Sequence, residues 1–370
     1  MAKMNTRMVD EMNSVGRGTY VHKFQEHKSE HIREKKENHR ILVYYGISGI
    51  GKSQLQKKIY HKIIDSTSEN DFAVRINFES YSLASSFSAI LYELVQRVKK
   101  SGISFPKFEY AYLIYYAKAN PLVKIKHDDT ISKLHLETIT PVVQAFIVSN
   151  LISVPVGIAG SVVQKASAPV QKWWREFQYP ELLQLGTLDV HEIEQWLPRL
   201  FADDLNYYLN ENPTKCPIFF FDSLENLAGK QRDEDYILNH DKWLRRMVYE
   251  LPKVLWVFSG REKLQWASLH KDEQWDDNLY QYEVKEFLEE DFIELMDFYH
   301  IDDESIREKI ESSSERHPFY VALSVKTFQQ IAQIRTPTVS DFGNNFPEIY
   351  RSFIRHLAKE ELDTFKVLST

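Results

Sequence analysis

The sequence is poor in several things that would place it in a specialised class. It has a single cysteine, Cys216, in 370 residues, so no disulfide framework can form within one chain, and a cytoplasmic location is the simplest expectation. From Met1 to Thr19 there is no apolar core of a secretory signal. Positive charge is not in surplus: the formal net charge is −7, which offers no global attraction for a polyanion. Internal repeats and low-complexity tracts do not occur. Long hydrophobic runs are also lacking, with one near exception. Thr138 to Gln164 carries no charge, but Asn150, Pro155, Gly157 and Gly160 interrupt it. A bilayer span needs about 20 predominantly apolar residues. This stretch reads instead as an apolar helical hairpin, packed on its domain or masking a partner surface.

What remains is a globular composition, 43% hydrophobic and 27% charged. At about 100–200 residues per domain, the length suggests two or three domains. Residues 1–40 form a charged lead-in, and the part from 22 to 40 reads as a solvated helix. His27 and His31 are spaced i, i+4, but no third ligand lies at a telling distance, so they read as surface histidines. Short apolar runs then alternate with helical patterns. Ile41–Tyr45, Phe72–Phe78, Pro217–Phe221, Val254–Phe258 and Leu279–Val284 read as strands. Continuous apolar strands separated by helices predict a three-layer α/β core with a parallel sheet. That core covers 41–288 and includes a helical insertion at about 104–215. A helical lid follows at 289–336. An incomplete helical segment occupies 346–370.

The most specific feature is Gly46-Ile-Ser-Gly-Ile-Gly-Lys-Ser53, which fits G-x-x-x-x-G-K-[ST] at every fixed position. It also has a strand before it and a helix after it. Such a loop holds phosphates. The glycines let the backbone N–H groups of Gly46, Ser48, Gly49, Ile50 and Gly51 turn toward phosphate oxygens, and the helix start through Gln54 adds its partial positive charge. Lys52 supplies a mobile cation, and Ser53 a hydroxyl for Mg²⁺. The expected ligands are ATP or ADP with Mg²⁺. No N-K-x-D or T-K-x-D follows to read guanine, and no L-S-G-G-Q stretch marks an ABC-type ATPase.

A metal-bound triphosphate needs an acid at the end of a neighbouring strand. Asp222 closes the run Ile218–Phe221 and suits that role; it would equally serve as a helix N-cap. Glu225 is placed to orient or deprotonate an attacking water, or is simply a surface acid. Many fast P-loop ATPases have a glutamate directly after the strand-end acid. Here Ser223 stands there, which predicts slow hydrolysis and a weak ATPase. Arg261, after Val254–Phe258, either reports the γ-phosphate or bridges the sheet rim.

The assembled pattern resembles the STAND class of signal-transduction NTPases, within the AAA-like additional-strand group. Gly46–Ser53 is similar to their Walker A, Phe219-Phe-Phe-Asp-Ser-Leu-Glu225 to their Walker B, and Phe258-Ser-Gly-Arg261 to their strand-end sensor. Arg316-His-Pro-Phe-Tyr-Val-Ala-Leu323 resembles the lid motif whose proline lies near adenine. This implies a base contact for Pro318, and for His317 either a phosphate contact or a cap. Gly18–Phe24 is similar to the stretch that packs on the base, which implies contacts from Tyr20 and Val21, although the usual arginine is missing from it. Phe346–Thr370 resembles the opening helix of a winged-helix domain, so the chain reads as the core of a longer protein.

The resemblance implies a nucleotide-gated switch for self-association or for a protein partner. Two alternatives are an origin-recognition-type DNA-handling ATPase and a P-loop kinase of a small molecule. The acidic balance disfavours nucleic acid, and the mixed charge of the lid disfavours the kinase.

Overall fold

The computed structural model describes residues 17–34, 38–66, 70–80, 87–119, 185–227 and 240–355; the uncharged stretch at 138–164 lies outside them. Five short apolar runs form its centre: Arg40–Tyr45 (β1), Asp71–Asn77 (β2), Cys216–Asp222 (β3), Leu255–Gly260 (β4) and Leu279–Glu283 (β5). All pair in parallel, in the order β2–β3–β4–β1–β5. β3 and β4 are buried at every position, which is why they read as unbroken apolar runs rather than alternating ones. β4 inserts between the strand leading into the glycine-rich loop and the strand ending in Asp222. Leu255 lies opposite Arg40 on one side and Ile218 on the other.

Strand alternation divides the side chains between two layers. Leu42, Tyr44, Ile218, Phe220, Leu255 and Val257 point to one, where Gly18–Arg33 (α1) and Lys52–Ile64 (α2) bring Val21, Phe24, Leu55, Ile59 and Ile63. Ile41, Val43, Phe219, Phe221, Trp256 and Phe258 point to the other. That layer is filled from Phe87–Lys99 (α3), Pro106–Ala119 (α4), Val190–Glu211 (α5) and Lys242–Glu250 (α6). The described parts of the 104–215 insertion therefore belong to the main core. Asp204 of α5 is fully buried and accepts from the backbone N–H groups of Lys107 and Phe108 at 2.9 and 3.0 Å, capping the first turn of α4. Burial nonetheless pushes its pKa well above the usual carboxylate range.

The lead-in helix is not solvated all round. Its stripe of Val21, Phe24, His27 and His31 is buried, so the two histidines are interior residues and not surface ones. Arg40 donates to His27 Nδ1 at 2.8 Å, which places the ring proton on Nε2, 2.5 Å from the Tyr282 hydroxyl. The charged face of α1 pairs with the same arginine through Glu30 and Glu34, at 2.6 and 3.0 Å.

A short helix, Trp266–Leu269 (α7), leads from β4 toward β5. The lid is all-helical beyond it: Glu289–Phe298 (α8), Glu304–Ser314 (α9) and Pro318–Ala332 (α10) share one apolar cluster around Met296, Ile310 and Val325. Phe346–Arg355 (α11) joins it, with Phe346 stacked on Tyr320 at 4.0 Å between ring centres. The rest of the expected 346–370 segment lies outside the described residues. No helix among the described residues is long and apolar enough to cross a membrane.

Candidate functional site

The loop from β1 to α2 is held open by its glycines. Gly46 takes φ +155°, and a Cβ there would meet the Val284 carbonyl oxygen at 2.7 Å. Gly49 takes φ +78°, and its Cβ would meet His317 Cε1 at 3.1 Å and Phe319 Cβ at 3.2 Å. Any side chain at 49 would push against the lid. Behind the loop, buried Gln56 of α2 donates to the Phe221 and Val257 carbonyls at 3.0 and 3.3 Å, fixing the helix start over the ends of β3 and β4.

In front of the loop lies a cleft of about 520 Å³ between the sheet edge and the lid. Ser48, Gly49, Gly51, Lys52, Ser53 and Gln54 line it, together with Asp222, Glu225, Arg261 and Pro318. Lys52 bends back so that its ammonium donates to the Gly46 and Ile47 carbonyls at 2.7 and 2.9 Å. Burial draws its pKa down, while Glu225 and Asp222 pull the other way.

Asp222 is 1% exposed. It does not cap a helix; Ser223, at φ 62°, occupies that position before the short turn Leu224–Asn226. Its Oδ1 accepts from Ser259 Oγ at 2.5 Å and its Oδ2 from Arg75 Nη2 at 2.6 Å. Glu225 is not a free surface acid. Its Oε1 is 3.2 Å from Arg261 Nε, and its Oε2 is buried without a partner among the described residues. Arg261 thus makes the rim salt bridge and also faces the cleft, with 62% of its side chain exposed.

Five expected residues, Gly46, Ile50, His317, Tyr20 and Val21, are not among those lining the cleft. For Gly46 and Ile50 the expected contact is a backbone one, and the Ile50 side chain is buried. His317 packs behind Gly49 as the residue capping α10 by position, without a side-chain cap bond. Burial lowers its pKa, against Glu286 and a hydrogen bond to the Ser48 backbone. Tyr20 donates to the Glu283 carbonyl at 2.8 Å, and Val21 is core. Neither of these two lines the cleft.

Arg17 does. It lies one residue before the segment read as lacking an arginine, in the left-handed conformation that starts α1, and is 6% exposed. Its guanidinium donates to the Ile50 carbonyl at 2.7 Å and the Lys285 carbonyl at 2.5 Å, and stacks 4.8 Å from the centre of the Phe287 ring. Its backbone N–H donates to Asp291 of α8 at 3.1 Å. One residue therefore ties the loop, the end of β5 and the lid. Phe287 and Phe319 complete the apolar end of the cleft. Phe319 lies inside the motif Arg316–Leu323, whereas Phe287 belongs to no pattern that the sequence alone would single out.

The donor set fits Mg²⁺ with a polyphosphate. Ser53, Asp222 and Glu225, which line one cleft, carry hard oxygens, and this metal takes few protein ligands beside phosphates and water. Among the described residues no group of three or more His, Cys, Asp or Glu gathers as a metal cluster, in keeping with so small a set.

No protein-family model matches the chain, and no curated protein sequence does. Solved structures do align. The Walker-type ATPase PABY2304 of Pyrococcus abyssi matches with a TM-score of 0.36 and 16% identity, over 93% of this chain and 75% of that one. The Aeropyrum pernix ORC1 protein in complex with DNA matches with a TM-score of 0.40 and 10% identity, over 93% and 69%. Such values carry no functional argument. The fold itself, a parallel α/β sheet whose first strand enters a glycine-rich loop before a helix, is P-loop NTPase-like.

Proposed function

We propose that the protein binds ATP and ADP with Mg²⁺ in this cleft, and that exchange between them switches its assembly state, with slow hydrolysis. One observation carries the reading. Cationic and acidic residues (Lys52, Asp222, Glu225, Arg261), the Ser53 hydroxyl and apolar residues (Phe287, Pro318, Phe319) line the same cleft, the two kinds of lining that a nucleotide's phosphates and base need.

Lys52 would exchange two neutral carbonyls for phosphate oxygens, which are stronger acceptors for a cation. Bound Mg²⁺ supplies charge neutralisation at the β- and γ-phosphates. Ser53 and Asp222 would hold it. Glu225 Oε2 is the acceptor available to align a water, while Ser223 leaves the position after Asp222 without an acid. Arg261 is exposed enough to turn from Glu225 toward a γ-phosphate, which ADP lacks. Pro318, Phe319 and Arg17 connect the base end to the lid, so a nucleotide that moves Arg261 or the loop also loads the lid. A switch of this kind needs the two nucleotides to differ in their preference for the two states, by about 5.5 kcal/mol for a near-complete shift.

The test is nucleotide binding by calorimetry, with mass measured in ADP and in a non-hydrolysable ATP analogue. We expect Mg²⁺-dependent binding of both and a larger mass with the analogue. Identical mass and shape would remove the switch. Tight, salt-sensitive binding of duplex DNA without a change in mass would move the protein to the DNA-handling class.

A further inference from the structure

We propose that Arg75 is an internal counter-cation that competes with Mg²⁺ for Asp222, so that metal loads only when the guanidinium turns away. This rests on the nucleotide reading above. Arg75 lies on β2, which pairs with β3 so that Asn77 stands opposite Asp222. Its Nη2 reaches Asp222 Oδ2 at 2.6 Å, and Ser259 Oγ holds Oδ1 at 2.5 Å. Both oxygens of the acid expected to face the metal are thus engaged from within the protein.

Arg75 is poorly anchored for a purely structural partner. Its Nε is buried and has no hydrogen-bond acceptor among the described residues. A second cavity of about 370 Å³ opens beside it, lined in part by Asn77, Glu79 and Arg97. Ser53 and Glu79 line both this cavity and the nucleotide cleft, so the two spaces are neighbours. The side cavity gives the guanidinium room, and Glu79 gives it another carboxylate. A divalent ion arriving at Asp222 would repel the arginine from close range. Ser259 would keep the carboxylate oriented through the exchange.

The experiment titrates Mg²⁺ into protein with a fixed, subsaturating fluorescent ADP and reads the Mg²⁺ giving half-maximal binding. Arg75→Gln should lower that midpoint about tenfold, within the ordinary range of coupling between two ligands. A midpoint equal to or above wild type, in a variant that still binds nucleotide, overturns the proposal. Should Arg75→Gln fail to fold, Glu79→Gln decides, since Glu79 is exposed. Removing that alternative carboxylate should raise the midpoint about threefold or more, and an unchanged midpoint overturns the proposal. A wild-type chain that binds no nucleotide at any Mg²⁺ concentration would instead remove the nucleotide reading.

Discussion

Glu225 carries an unusual combination for one carboxylate: one oxygen on Arg261, the other buried and unpartnered among the described residues. A buried acceptor without a donor costs about 1–3 kcal/mol, which the fold tolerates where a ligand supplies the proton. Glu225→Gln should therefore leave ADP affinity within about threefold while cutting single-turnover hydrolysis by about 100-fold or more. Equal loss of binding and turnover would make it a structural residue. At this scale the sequence was legible where a motif fixed both spacing and residue type. Lys52, Ser53 and Asp222 all reach one cleft, because a phosphate loop and its neighbouring strand admit little variation. Arg17 was not legible, since a lone arginine ahead of a helix has no periodicity to mark it. The segment expected to meet the base begins one residue later, at Gly18, and its Tyr20 and Val21 serve the α1 packing.

Among the elements, the strands were the easiest to read. Each of the five lies within two residues of its expected bounds; β3 and β4 stand out because strands buried on both faces must be apolar throughout. α1 was harder. Its charged residues dominate the composition, yet its buried stripe has helical spacing, and two of the four positions are histidines that look polar in sequence. α1 also carries Arg17 to the cleft, so its docking bears on the site. Phe24 is buried with its ring 6.1 Å from that of Phe220. Phe24→Ala should destabilise the fold by about 3–5 kcal/mol. It should also weaken ADP binding as α1 loosens. A denaturant midpoint within error of wild type would mean that α1 is not part of the cooperative unit.

Taken whole, the described residues hold three histidines whose protonated form burial disfavours. Burial lowers the pKa of His27, His39 and His317 below the ordinary 6.5, with Arg40 adding to the effect at His27. In each case the unfolded chain takes up protons that the folded chain resists. Their contribution to stability is complete above pH 6.5 and shrinks as the pH falls toward the folded values. Glu34 and Asp341, both held below their usual range chiefly by arginine side chains, add the same trend only below about 4.5. Asp204, whose pKa burial raises, works in the opposite direction. In an Asp204→Asn background, which removes that opposing group, the melting temperature should fall between pH 7.5 and pH 5, and a rise over that interval would contradict the assignment. The contact at Gly49 has a kinetic consequence. Since His317 and Phe319 rest on bare backbone, a departing phosphate tail cannot relax the loop without lifting the first turn of α10. On the nucleotide reading proposed above, the dwell time of ADP and the lifting of that turn would be one event. Amide exchange at Val321, whose N–H donates to the His317 carbonyl, should then keep pace with the nucleotide off-rate, and Gly49→Ala should speed both together.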